Sequence, residues 1–315
     1  MYIKLHSFNC RGLQDYVKRR KIFHYFRSLN CDILFLQETH CSREDEKLWH
    51  SQWGEHAFFA SFTSNSRGVA ILIRNSINLK VKSIFRDPNG RFLILNSTLN
   101  EFPLSLVNVY APNNDDSEFL LHLFAEINKF DVFSLLVAGD FNAVLGPLDY
   151  QGSRNKHSNI KASEMLSALM DEFGLCDIWR FFNPNLKKYT RHQKTPQVLS
   201  RLDFILVSDN FVNNCKETKI LPGINSDHST VSVCFNDNQP PRGRGYWKLN
   251  TYYLYHDTDF INLIKEKIKE FKIIHKDSQC DSNILWDSLK CFITGVAIEY
   301  SARKKGIEIK RKMNY

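Results

Sequence analysis

The chain has 315 residues, of which 43% are hydrophobic and 24% charged, and its net charge is +8. That length allows one large domain with an appendage, or two domains, around a sizeable core. No run approaches the ~20 apolar residues of a membrane span, and the opening MYIKLHSFNCRG lacks the apolar stretch and cleavage site of a signal peptide. These features exclude a membrane partner and predict a soluble intracellular protein.

Eight cysteines (10, 31, 41, 176, 215, 234, 280, 291) are scattered without a C-x-x-C pair. Such spacing predicts free, mostly buried thiols in a reducing compartment, not a zinc site or a disulfide scaffold. The charge is uneven. Residues 1–238 hold 27 basic and 25 acidic side chains, whereas residues 239–315 hold 15 and 9. A basic excess suits a polyanion, and it lies in the last quarter of the chain.

In chain order, the strand signals are YIKLHSFN (2–9), CDILFLQE (31–38), AFFASF (57–62), GVAILIR (68–74), RFLILNSTL (91–99), LSLVNVYA (104–111), SLLVAGDFN (134–142), RLDFILVS (201–208) and HSTVSVCF (228–235). Helical periodicity falls at 18–29, at 117–129 behind Ser117 as N-cap, and at 161–173. No fixed-period repeat occurs. At NDNQPPRGRG (236–245) the strand signals stop and Pro, Gly and Arg cluster. The expected organisation is an α/β domain over 1–236, a linker over 237–246, and a basic helical extension over 247–315. The extension carries helices at 258–274 and 283–301 and the tail ARKKGIEIKRK (302–312).

Polar residues gather at the ends of these strands. Asn9 closes the first, Glu38 follows CDILFLQ, Tyr110 closes LSLVNVY, and Asp140 and Asn142 end SLLVAGDFN. Asp203 interrupts an apolar strand near its start, where an acid is costly unless paired. Asp227 and His228 precede the last strand. A turn needs Asp or Ser there, but it does not need the His. Loops at strand ends form clefts in layered α/β domains. Carboxylates and amides without thiolates are hard oxygen donors suited to Mg²⁺ and phosphate oxygens. An Asp, a His and a divalent cation can together activate water, stabilise phosphoryl charge and neutralise a leaving oxygen.

In this order, Asn9, LQET, VYAPN, GDFN, SRLDFIL and SDH resemble the endonuclease/exonuclease/phosphatase superfamily, which includes exonuclease III, abasic-site endonucleases and DNase I. The resemblance covers about residues 2–235. More narrowly, YAPN, GDFN, SRLDFILVS and SDHS, followed by GYWKLN and LWDSLKCFITGVAIEYSARKK, are similar to the N-terminal endonuclease region of LINE-type (non-LTR) retrotransposon polyproteins. No aromatic-Ala-Asp-Asp turn of a reverse transcriptase follows, so the resemblance implies a truncated or stand-alone copy.

The resemblance implies a four-layer α/β/β/α sandwich of the DNase I-like kind with a short helical extension. It implies an Mg²⁺-dependent phosphodiester hydrolase, with Mn²⁺ as a substitute, that nicks duplex DNA to leave a 3′-hydroxyl. Tyr110, Asp140, Asn142, Asp203 and His228 are then catalytic. Asn9, Glu38, Asp140, Asn142, Asp227 and His228 surround the metal, and either Asp140 or His228 is the base. Asp203 would pair with His228, orienting it or fixing its charge. The implied protein is a nuclear monomer that uses no small-molecule cofactor. Two departures fall where DNA would lie: Tyr150 replaces the arginine of Leu-Asp-Arg, and Arg191 replaces an aromatic after Tyr-Thr. The alternatives are an abasic-site endonuclease or 3′-exonuclease of repair type, a lipid or inositol phosphatase, and a decayed copy without activity.

Overall fold

The computed structural model describes residues 2–130, 134–152, 159–193, 198–236, 257–276 and 280–313, so the expected linker and the WKLN stretch lie outside the described residues. The chain divides into two compact units, Met1–Arg242 and Gly243–Tyr315.

The first unit is built on two six-stranded mixed sheets. One contains β1 (Tyr2–Asn9), β2 (Ile33–Gln37), β3 (His56–Ala60), β4 (Val69–Ile73), β14 (Cys215–Leu221) and β15 (Thr230–Asn236), in the order β14-β15-β1-β2-β4-β3. The other contains β5 (Leu79–Arg86), β6 (Phe92–Leu99), β7 (Phe102–Tyr110), β8 (Leu135–Asp140), β10 (Leu175–Asp177) and β13 (Asp203–Ser208), in the order β10-β13-β8-β7-β6-β5. A small sheet in the order β11-β12-β9 joins Tyr150–Gln151 (β9), Arg191–Gln193 (β11) and Val198–Ser200 (β12).

Four layers follow from where the apolar side chains go. Ile3, Leu5, Ile71, Leu95, Leu106 and Ile205 fill the space between the sheets. The outer face of the first sheet packs on α1 (Tyr16–Ser28) and α2 (Glu46–Trp53) through Phe23, Phe26, Trp49 and Trp53. The outer face of the second packs on α3 (Ser117–Asn128) and α4 (Ile160–Phe173) through Leu123, Phe124, Leu166 and Leu169. Each such side chain contributes ~1.5–3 kcal/mol when fully buried. Short helices α5 (Ile178–Phe182) and α6 (Asp209–Val212) complete this unit. The architecture is the expected α/β/β/α sandwich.

The periodic helices form close to where their patterns begin. α1 starts behind Asp15, whose carboxylate accepts from the Lys18 N–H at 2.5 Å. The cap of α3 is Asp116, not the expected Ser117; its carboxylate accepts from the Phe119 N–H at 3.0 Å. Four of the eight free cysteines are buried and two are exposed.

The second unit is a helical pair, α7 (Thr258–Ile274) and α8 (Ser282–Met313). Phe260, Ala297 and Tyr300 form its core, and the Tyr300 hydroxyl donates to the Asp257 carboxylate at 2.9 Å. The backbone of α8 continues through the expected tail as far as Met313.

Candidate active site

Strand alternation gathers the polar residues. Along β1, β7, β8 and β13, every second side chain enters the space between the sheets, as Ile3 and Leu5, Leu104 and Leu106, Leu136 and Ala138, and Ile205 and Val207 do. Continuing each set by two or four residues reaches Asn9, Tyr110, Asp140 and Asp203. Register puts these ends at one edge: Asn9 pairs with Gln37, Tyr110 with Asp140, and Asp140 with Asp203. Just inside that edge, Gln37 donates to Asn108 Oδ1 at 2.7 Å, and Asn108 donates to the Leu36 and Ala70 carbonyls at 2.9 and 2.8 Å. This buried polar layer locks the sheets in register next to the site.

At the edge, the Asn9 side-chain amide joins the two sheets. It donates to Glu38 Oε1 at 3.0 Å and to Asp140 Oδ2 at 2.9 Å. Asp140 Oδ1 accepts from the Asn142 backbone N–H at 2.9 Å. His228 Nδ1 lies 2.9 Å from Asp203 Oδ2, and its Nε2 lies 3.9 Å from Asp140 Oδ2. The Tyr110 hydroxyl lies near Glu38, and the Arg91 guanidinium lies over the Tyr110 ring at 4.8 Å. The Asn142 amide donates to the Ala111 carbonyl at 2.9 Å and to Asn113 Oδ1 at 3.2 Å. Seven of the eight expected residues therefore form one connected cluster.

Asp227 is the eighth, and its carboxylate is engaged elsewhere. Its oxygens lie 3.6 Å from Arg11 Nη1 and 3.9 Å from Arg191 Nε. Among the described residues, the acidic and imidazole atoms that converge within 4.8 Å are those of Asp140, Asp203 and His228, and neither Asp227 nor Glu38 belongs to that group.

Several supporting residues carry little signal in sequence. Ser226 Oγ donates to the Asn9 carbonyl at 2.8 Å and accepts from the His228 N–H at 3.1 Å. Thr190 Oγ1 accepts from the N–H groups of Leu202 and Asp203 at 3.0 and 3.2 Å, and its carbonyl accepts from the Ser229 N–H at 2.6 Å. Thr190 thus ties the strand that carries Asp203 to the segment that carries His228. Two glycines are required by close approach. A Cβ at Gly139 would fall 1.9 Å from the Val109 carbonyl oxygen, and one at Gly223 would fall 1.8 Å from the His228 carbonyl oxygen. Glu38 and Asn142 adopt φ of +50° and +47°, strained values for residues with a Cβ. Such strain concentrates at functional sites.

Beside the Tyr150 departure, Asp149 has a structural role. Asp149 is buried and accepts from Arg201 Nε and Nη2, both at 2.8 Å, and from Arg180. Arg201 also reaches Asp177 at 2.7 Å. The buried network ties the loop after Asn142 to the residues just before Asp203.

The electrostatics follow from crowding. Burial pushes the Asp140 carboxyl up, to about 7, and the Asp203 charge adds to this against the opposing effect of His228. Burial alone would lower the pKa of His228, but Asp203 and Asp140 outweigh it and raise it to about 9. Burial, with Glu38 beside it, raises Tyr110 well above the usual phenol range. The donor set fits a divalent cation. Glu38, Asp140 and Asp203 put three carboxylates around a single imidazolium, and Asp203 Oδ1 is buried with no hydrogen-bond partner. Hard oxygen donors in excess negative charge are what Mg²⁺ or Mn²⁺ binds.

A buried His–Asp pair beside bridged carboxylates, at the edge of a four-layer sandwich, defines a hydrolase of the nuclease and phosphatase type, and the comparisons agree. The chain belongs to the Endonuclease/Exonuclease/phosphatase family, whose model matches residues 6–228. The transposon TX1 uncharacterized 149 kDa protein of Xenopus laevis is 26% identical over 311 residues, which is 97% of this chain and 23% of that protein. The chain therefore spans about a quarter of that relative's length. The AP endonuclease of Archaeoglobus fulgidus shares the fold with a TM-score of 0.61 and 19% identity, over 74% of this chain and 99% of that one. The 3′ phosphatase NExo of Neisseria, bound to a product DNA hairpin, does so with a TM-score of 0.60 and 21% identity, over 74% and 99%.

Proposed function

We propose that the chain is a divalent-cation-dependent endonuclease that nicks one strand of duplex DNA and leaves a 3′-hydroxyl. In this reading it is of LINE-retrotransposon type, uses Mg²⁺ with Mn²⁺ as a substitute, and works as a monomer in the nucleus. The observation that carries the reading is the Asn9 amide bridging Glu38 and Asp140 beside the Asp203–His228 pair.

Each residue has a task in this reading. Glu38 and Asp140 would hold the cation, with Asn9 fixing both carboxylates. When bound, the cation supplies positive charge for the phosphoryl and leaving oxygens. Asp203 holds a proton on His228 Nδ1, and the imidazolium presents Nε2 to a phosphoryl oxygen. Asp140 accepts the proton of the attacking water. His228 acts in this reading through the charge that Asp203 keeps on it. Asn142 contributes a side-chain amide near the phosphate, and Tyr110 fixes Glu38 from the other side.

The likeness to the transposon protein supports the retrotransposon reading, because it runs along 97% of the chain and so includes the helical unit. The second reading is an abasic-site endonuclease, favoured by the fold shared with AP endonucleases. Two duplexes of one sequence, one intact and one with a single abasic site, separate the readings. Comparable cleavage of both, with ends that a polymerase extends, supports the retrotransposon type. Cleavage confined to the abasic duplex supports the repair type.

A further inference from the structure

Asp227 and His228 are neighbours in sequence but face different surroundings. His228 points inward to Asp203 and Asp140, with its side chain only 6% exposed. Asp227 is 31% exposed, and it lines a cleft of about 530 Å³ together with Arg11, His192, Asn225, Ser226 and His228. Arg191 bridges His228 in antiparallel fashion, and the His192 N–H donates to the Asp227 carbonyl at 3.3 Å, which seats this segment against β11.

On the cleft side, one carboxylate meets two guanidinium groups. Arg11 comes from the loop after β1, where a φ of +49° and an Arg11 N–H bond to Asn9 Oδ1 at 3.0 Å set its direction. Arg191 comes from β11. Their side chains remain 66% and 39% exposed, so each keeps N–H groups free of Asp227. The Lys18 ammonium donates to the Arg11 carbonyl at 2.9 Å and adds a third positive charge. Three cationic side chains thus gather around Asp227, next to the carboxylates of the site.

An exposed ion pair contributes little to stability, ~0–1 kcal/mol. Its effect here is to aim two long side chains at one place. Arginine forks match the oxygens of a phosphodiester, and such contacts position a nucleic-acid backbone without reading its sequence.

We propose that Arg11 and Arg191, held by Asp227, form a clamp for one backbone phosphodiester of the nucleic acid, adjacent to the phosphate that faces His228. Asp227 is then the anchor of the clamp, not a cation ligand. The proposal rests on the nucleic-acid reading above. It also gives Arg191 a role at a position where the retrotransposon pattern has an aromatic.

The test uses the full chain and a fluorescent 20-base-pair duplex in EDTA, titrated by anisotropy over a KCl series. Loss of one phosphate contact lowers the slope of log K against log [KCl] by about 0.9. The Arg11→Gln/Arg191→Gln double variant is expected to do this, and each single variant to lower the slope by part of that amount, because the pair grips one phosphate. Lys82→Gln, an exposed charge on β5, is expected to keep the full slope. Loss of a group that tunes a bound metal weakens it ~10–100-fold; Asp227→Asn is expected to leave Mn²⁺ affinity, measured by calorimetry, unchanged. A full slope in the double variant, or a loss of Mn²⁺ affinity in Asp227→Asn, overturns the clamp. If the wild-type chain also nicks plasmid, the nuclease reading survives that result. A folded wild-type chain that neither binds the duplex nor nicks plasmid overturns both.

Discussion

His228 Nδ1 sits 2.9 Å from Asp203 Oδ2, with both side chains almost fully withdrawn from solvent. A buried pair of this kind is stabilising only while both partners are present, because loss of one leaves an uncompensated charge. Asp203→Asn keeps the shape and removes the charge that holds the His228 proton. Its turnover is predicted to fall by ~10²–10⁴-fold. The rate of the wild type is predicted to rise with pH as Asp140 loses its proton, at or below about 7, and to fall as His228 loses its own near 9. In Asp203→Asn the alkaline fall should move to lower pH. A pH–rate series on both proteins checks this.

Gly223 tests how the His228 segment is held. A Cβ there meets the His228 carbonyl oxygen at 1.8 Å, so the segment must shift. Gly223→Ala is predicted to cost activity out of proportion to stability, since 1 Å of misplacement is worth ~10²-fold in rate. Nicking rate and thermal midpoint, measured on one preparation, give the comparison. Equal activity at an equal midpoint would contradict the tight packing.

Asp149 is predicted to matter for folding. Arg201 is 1% exposed and bonds Asp149 through two nitrogens. Asp149→Ala strands the guanidinium and is predicted to cost ~3–5 kcal/mol, as for other broken buried pairs. Urea unfolding of the two proteins measures it.

His6 gives a pH signature of stability apart from catalysis. It is buried against Phe26 with Nδ1 unpartnered, and burial, with Lys4 nearby, lowers its pKa to about 4. Unfolded, it takes up a proton near 6.5. The unfolded chain therefore binds more protons between pH 6.5 and 4. Stability from this residue is complete above 6.5 and is lost as pH falls toward 4, on the order of 3 kcal/mol in all. His6→Leu is predicted to flatten that part of the stability profile in urea titrations at successive pH values.

The strands that sequence makes visible are those buried on both faces. β2 and β4 are buried along their whole length and read as unbroken apolar runs. β5 and β14 escape that reading because they are edge strands. LKVKSIFR and CKETKIL carry two lysines, and two lysines with a glutamate, among their apolar residues, the usual protection of an open edge. The cluster around Asp140 is legible because hard oxygen donors at strand ends share one chemistry. Thr190, Gly139 and Gly223 are not legible, because what they do depends on which distant backbone passes beside them. Asp227 was expected beside the metal, and its approach to Arg11 and Arg191, at 3.6 and 3.9 Å, depends on which loops pass beside it and so leaves no mark in the sequence.

Asn9, Glu38, Asp140, Asp203 and His228 are proposed to form a cation-dependent nuclease site. Conversion of supercoiled plasmid to open circle tests it most directly, using the wild type with Mg²⁺, the wild type with EDTA, and Asp140→Ala and His228→Ala with Mg²⁺. The predicted result is nicking by the wild type with Mg²⁺ and loss of nicking, by ~10²-fold or more, in the other three. A folded wild-type protein that leaves the plasmid supercoiled, or nicking that persists in EDTA or in either variant, would contradict it.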